Sequence, residues 1–138
     1  MPAFALLFLI GCTQPAALRT EAPAAAAITD GFVDDNTFRA SGIGYPNPFD
    51  SSAAARNTSA SNAAVLIARS QTETELMRYT PRTNDALNTA VKEFIEKKYA
   101  VIRAAHSDNG RCDIVIELVF PGLKHIVEQG KIEALRWR

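Results

Sequence analysis

Cysteine is nearly absent from this sequence: its 138 residues hold only Cys12 and Cys112. A framework of several disulfides is therefore excluded, and the fold has to stand on packing. An excess of either charge is missing too, because 15 basic residues balance 15 acidic ones. Nucleic-acid recognition asks for a clustered basic face, so that class of partner is not indicated. Nor is there a polybasic patch to hold the chain on anionic lipid. No apolar run approaches the roughly 20 residues that a membrane-spanning helix needs. The hydrophobic fraction of 47% looks ample, but alanine inflates it. The length suits one domain, whose thin core supplies only a few kcal/mol of net stability, so partner surfaces would help it.

What apolar run there is stands at the amino end. Residues 3–10, Ala-Phe-Ala-Leu-Leu-Phe-Leu-Ile, are followed by Gly11-Cys12 and then by polar, proline-containing sequence. A run this short reads as the h-region of a signal peptide. Leu9-Ile10-Gly11-Cys12 resembles the bacterial lipobox, in which a branched apolar residue, a small or apolar one, and Gly or Ala precede the cysteine. That resemblance implies diacylglycerol in thioether linkage on Cys12, cleavage on its amino side and acylation of the new amino group. Several acyl chains on one residue anchor durably, since each buried CH₂ contributes about 0.8 kcal/mol and one chain alone is marginal. Thr13 stands where an inner-membrane retention signal places Asp, which by the same resemblance implies the outer membrane. An ordinary secretory signal, or an apolar strand that ends in cysteine, is the alternative. No Lys or Arg precedes the run, as expected if translation starts upstream of Met1.

Three regions are expected: a signal peptide over 1–11, the lipidated cysteine with an Ala/Pro-rich tether over 12–31, and a domain over 32–138. In the domain, residues 37–43 alternate enough for a strand, and 44–48 form a loop by turn chemistry. Asp50, Ser51 or Ser52 can cap a helix whose inner stripe is Ala53, Ala60, Ala64 and Ile67, with Ala63 and Leu66 beside it. Pro81 ends that helix. A second, from Thr83 or Asn84, presents Leu87, Val91, Phe94 and Ile95 and closes on Lys97 and Lys98. Tyr99 to His106, a turn at Ser107–Gly110, and Arg111 to Phe120 spell a β-hairpin, Asn109-Gly110 being favoured where φ is positive. Cys112, Ile114, Ile116, Leu118 and Phe120 fall on one face of its second strand, and Arg111, Asp113, Val115, Glu117 and Val119 on the other. A short helix is expected over 123–129 and a last strand or helical turn over 132–137.

Candidate chemistry is sparse. Gly42-x-Gly44 follows a strand and precedes a helix, but the third glycine of a dinucleotide cradle is absent and two prolines intervene. Asn57-Thr58-Ser59 matches a glycosylation acceptor inside an expected helix, where it carries no meaning in a bacterial protein. His106, Asp108 and Cys112 read better as turn residues and a core cysteine than as a nucleophile–base set, since an activated thiolate needs a nearby cation and solvent access. His125 and Glu128 have the helical spacing of a metal pair without further ligands. Asp30, Asp34 and Asp35 read as a hydrophilic lead-in. No catalytic residue, metal site or cofactor is expected. With Cys12 lipidated, Cys112 is left as an unpaired, buried thiol.

Ala40-x-Gly42-x-Gly44, a loop, then Ala55-Arg56, Ala60, Ala64 and Leu66-Ile67-Ala68 resemble the Lpp-twenty family of bacterial lipoproteins, the FlgP-like group, to which the amino-terminal domain of FlgT is similar. The resemblance spans roughly Phe38 to Phe120. It implies an α+β domain with two helices on one face of a small, largely antiparallel sheet. FlgP-like members of the family assemble side by side as rings or disks around the flagellar motor beneath the outer membrane, whereas many others have no assigned role. The implied role is structural, with outer-membrane lipid, further copies of the chain or other envelope proteins as partners. The alternative is a monomeric periplasmic binding module for a small ligand or envelope polymer, which needs an apolar concavity with convergent polar groups.

Overall fold

A computed structural model describes residues 30–81 and 84–132. The signal peptide with Leu9, Ile10, Gly11 and Cys12, the tether as far as residue 29, and the last expected element beyond Ile132 lie outside the described residues. Within them the order is β1 (Gly31–Phe32), β2 (Thr37–Gly44), α1 (Ala53–Tyr79), α2 (Asp85–Lys98), β3 (Ala100–His106), β4 (Cys112–Val119) and α3 (Leu123–Glu128). The four strands form one antiparallel sheet in the order β1-β2-β4-β3. Helices pack against the sheet, α1 over β2 and β4 and α2 against α1 and β4. The expected α+β architecture is what the chain adopts.

Local chemistry explains the boundaries. Ser52 caps α1 by accepting the Ala55 amide, and Asn84 caps α2 by accepting that of Leu87, each filling one of the orphan donors of a first turn. The α1 helix runs to Tyr79, and Thr80 closes it by donating its amide and hydroxyl to Met77 O. In the hairpin, Gly110 alone takes positive φ, at 81°, and donates to Ser107 O. Asn109 instead uses its side chain to accept from the Ser107 hydroxyl and the Arg111 amide. Four expectations change. Gly44 belongs to β2 and not to the loop. The sheet takes in Gly31, and Asp30 accepts from the Ser41 amide and hydroxyl, so the acidic segment is no mere lead-in. Val115 is buried although it points away from the helices, flanked along β4 by Asp113 and Glu117 with their arginines.

The fourth concerns the inner stripe of α1, which is Ala60, Ala64, Ala68, Thr72 and Leu76, every fourth residue. Ile67 and Leu66, expected at or beside it, are 41% and 61% exposed, and Ala53 is exposed. The strand beneath explains the shift. Only small side chains fit between helix and sheet there, so the helix turns its alanines down and its larger neighbours out. The bulky core gathers farther along, where Phe38, Leu76, Leu118, Leu123, Val127 and Ile132 are almost fully buried. Phe94 and Phe120 meet edge to face there at 5.7 Å.

Candidate functional site

Ala40, Gly42 and Gly44 line the helix side of β2, opposite Ala60, Ala64 and Ala68 of α1. A Cβ added at Gly42 would stand 2.1 Å from Ala64 O, and one at Gly44 would stand 2.0 Å from Ala60 O. Neither glycine has positive φ, so closeness of the helix backbone, and not backbone conformation, requires them. Ala55 is half-buried at the start of α1, and Arg56 is exposed with no ion pair among the described residues. Of the residues that carried the family resemblance, Ala40, Gly42, Gly44, Ala60, Ala64 and Ala68 thus build a helix-on-strand seam, while Arg56, Leu66 and Ile67 face outward.

Where the seam reaches the hairpin turn, the structure brings together a cluster that the sequence kept apart. His106 stands opposite Cys112 in the β3–β4 register. The Ser61 hydroxyl shares a 3.0 Å hydrogen bond with His106 Nε2 and lies 3.6 Å from Cys112 Sγ. His106 Nε2 is also 3.3 Å from Asn57 O. A hydroxyl on an imidazole nitrogen is how a nucleophile and base begin. A working pair also needs a group that orients the base, and no carboxylate does so here among the described residues. Cys112 is fully buried, closed to any substrate. Asp108, the third residue considered, is exposed in the turn, apart from this bond network. The cluster acts as a polar clip holding α1 to both strands of the hairpin. Sequence gave no sign of Ser61, because its contact with His106 spans 45 positions.

Elsewhere His125 Nε2 approaches Gln129 Nε2 at 2.6 Å on α3. No group of three or more His, Cys, Asp or Glu comes together among the described residues. Two shallow clefts measure about 310 Å³ each: one between α1 and α2 holds the pairs Arg69–Glu96 and Glu73–Lys92 beside Leu66 and Ile95, the other lies by Arg56 and the hairpin turn. The sheet face away from the helices carries its own ion pairs, Arg39–Glu117 at 2.7 Å and Arg111–Asp113 at 2.8 Å. At its margin the amide of Asn36, bonded at 2.7 Å, holds the Asp34 carboxyl below the usual range. The edge strand β3 is exposed along all of its residues. Among the described residues no helix is long and apolar enough to cross a membrane. Comparison with family models, with curated proteins and with solved structures finds no match.

Proposed function

We propose that this chain is a bacterial lipoprotein, anchored in the outer membrane through acylated Cys12, whose domain has a structural or assembly role in the cell envelope. The observation that carries this reading is Leu9-Ile10-Gly11-Cys12 at the end of an apolar run over residues 3–10. The assembly role is supported by the surfaces of the domain. Among the described residues the two clefts are shallow, the Ser61–His106 contact lacks an orienting group, and the sheet ends in β3, whose outer edge has no strand partner and is a template for another chain. The resemblance to Lpp-twenty lipoproteins points to the same role and makes a flagellum-associated ring or disk one form of it.

Mass spectrometry of the mature amino terminus tests the anchor. The expected product begins at Cys12 with acyl chains attached, and Cys12→Ser abolishes both cleavage and lipid. An unmodified, uncleaved Cys12 in the membrane fraction of an expressing bacterium overturns it.

A further inference from the structure

We propose that copies of this chain join edge to edge, β3 of one against the β1 side of the next, so that the sheet continues from copy to copy. This rests on the self-association in the reading above and supplies its surface. β3 closes the sheet, and its outer backbone groups have no strand partner among the described residues. The open outer edge of such a seven-residue strand accepts another strand by main-chain hydrogen bonding.

Charge selects which strand. Lys97 and Lys98, where α2 leads into β3, and Arg103 within β3 are exposed and make no ion pair among the described residues. An antiparallel pair of β3 strands centred on Arg103 would set that arginine against its own copy and bring no acid–base match at Lys97 and Lys98 of the kind the other margin offers. The opposite margin is acidic. Asp30, Asp34 and Asp35 are exposed and likewise outside any ion pair, Asp30 and Asp34 being bonded within their own hairpin. Two bases stand near that turn: Lys124, whose amide donates to Asp35 O, and Arg39, whose charge acts on Asp34 while it pairs with Glu117.

Register places the two sets of charges at the same end of the sheet. Gly31, Arg39, Glu117 and Ala100 form one row across it. Val33 to Asp35 follow Gly31 beyond that row, and Lys97 and Lys98 precede Ala100 on the same side. A copy displaced sideways without turning therefore offers Asp34 and Asp35 to Lys97 and Lys98. Its β1, parallel to β4, meets β3 antiparallel. Val33, 51% exposed beside Asp34, offers apolar surface to the stems of Lys97 and Lys98. Because the two surfaces differ, the contact is heterologous, so it closes into a ring or runs on as a filament instead of stopping at two copies.

Sedimentation velocity on the full chain, purified in detergent as the cell makes it, tests this over a concentration series. Species beyond a dimer are expected, diminishing as salt rises. Lys97→Glu with Lys98→Glu is expected to weaken association about tenfold, and so is Asp34→Lys with Asp35→Lys. Mixing the two reversed variants restores it, because each contact then pairs opposite charges again, and that recovery also shows that both variants fold. A dimer as the largest species, unchanged association in the reversed variants, or no recovery on mixing overturns the edge contact while leaving self-association standing. A wild-type chain that stays monomeric at every concentration removes both.

Discussion

Replacing Gly42 with alanine is the sharpest probe of the seam. On general grounds the change should help: in a conformation alanine can adopt, it stabilises by about 0.4–1 kcal/mol through the unfolded chain. Gly42 has such a conformation. What opposes the gain is space. The new methyl would sit 2.1 Å from Ala64 O and 2.7 Å from Ala68 N, where ordinary contact starts near 3.4 Å. Both obstacles are backbone, so no side chain can swing aside, and α1 must lift by more than 1 Å. A gap of 0.5–1 Å already forfeits a quarter to a half of the dispersion well for each contact left behind. Overpacking of this kind costs about 1–3 kcal/mol. Taking the upper end for a backbone obstacle, the net loss is about 2–3 kcal/mol. Urea unfolding followed by circular dichroism should therefore show the midpoint lowered by about 1 M or more. A midpoint equal to or above that of the unaltered chain would refute the seam. The double variant with Ala64→Gly gives a second check: it should not recover stability, because the carbonyl that blocks the methyl remains.

Three further outcomes follow from single contacts. Cys112 is fully buried, so its thiol should resist alkylation in the folded chain and react once urea unfolds it; reaction at the unfolded rate without urea would contradict that burial. Asn84→Ala removes the acceptor for the Leu87 amide and should lower stability by about 1 kcal/mol in the same assay, whereas an unchanged midpoint would sink the capping role. Asp34 has its carboxyl held low by the Asn36 amide, so its contribution is complete above the ordinary carboxylate value of 3.8 and is lost as pH falls through the lowered one. Asp34→Asn should accordingly flatten the acid limb of stability against pH, and an unaltered limb would show that the bond does not favour the charged form.

Periodicity located the elements because local sequence decides them. Asn109-Gly110 marked the hairpin, Leu87, Val91, Phe94 and Ile95 marked the buried face of α2, and alternation marked the inner face of β4. The roll of α1 was not legible in the same way. A helix of alanines and polar residues has little contrast between its faces, and what chose Ala68 over Ile67 was a strand twenty-odd positions upstream that admits only a close backbone. The pairing of Ser61 with His106 escaped for a related reason: neither residue is unusual where it stands, and only the sheet register joins them. Asp30 looked like part of a tether because nothing local says that a carboxylate will accept from Ser41, 11 residues on.

The two halves of α1 do different physical jobs, and this bears on where a partner would be held. Its first half lies on β2 through Ala60, Ala64 and Ala68, a contact that brings backbones close while removing little apolar area from water. Its second half reaches, through Thr72 and Leu76, the end of the sheet where Phe38, Leu118, Leu123, Val127 and Ile132 collect. Hydrophobic stabilisation scales with apolar area buried, so most of it lies at that second end. The hairpin end is held instead by van der Waals contact along the seam and by the bonds of Ser61 to His106 and Cys112. Lys97, Lys98, Asp34 and Asp35 all sit at the end with the larger core. A contact made there engages backbone already fixed by packing, so less ordering has to be set against the gain of association. The thin core and the charged margins are thus compatible: the apolar area the domain has is spent on keeping rigid the end that carries the complementary charges.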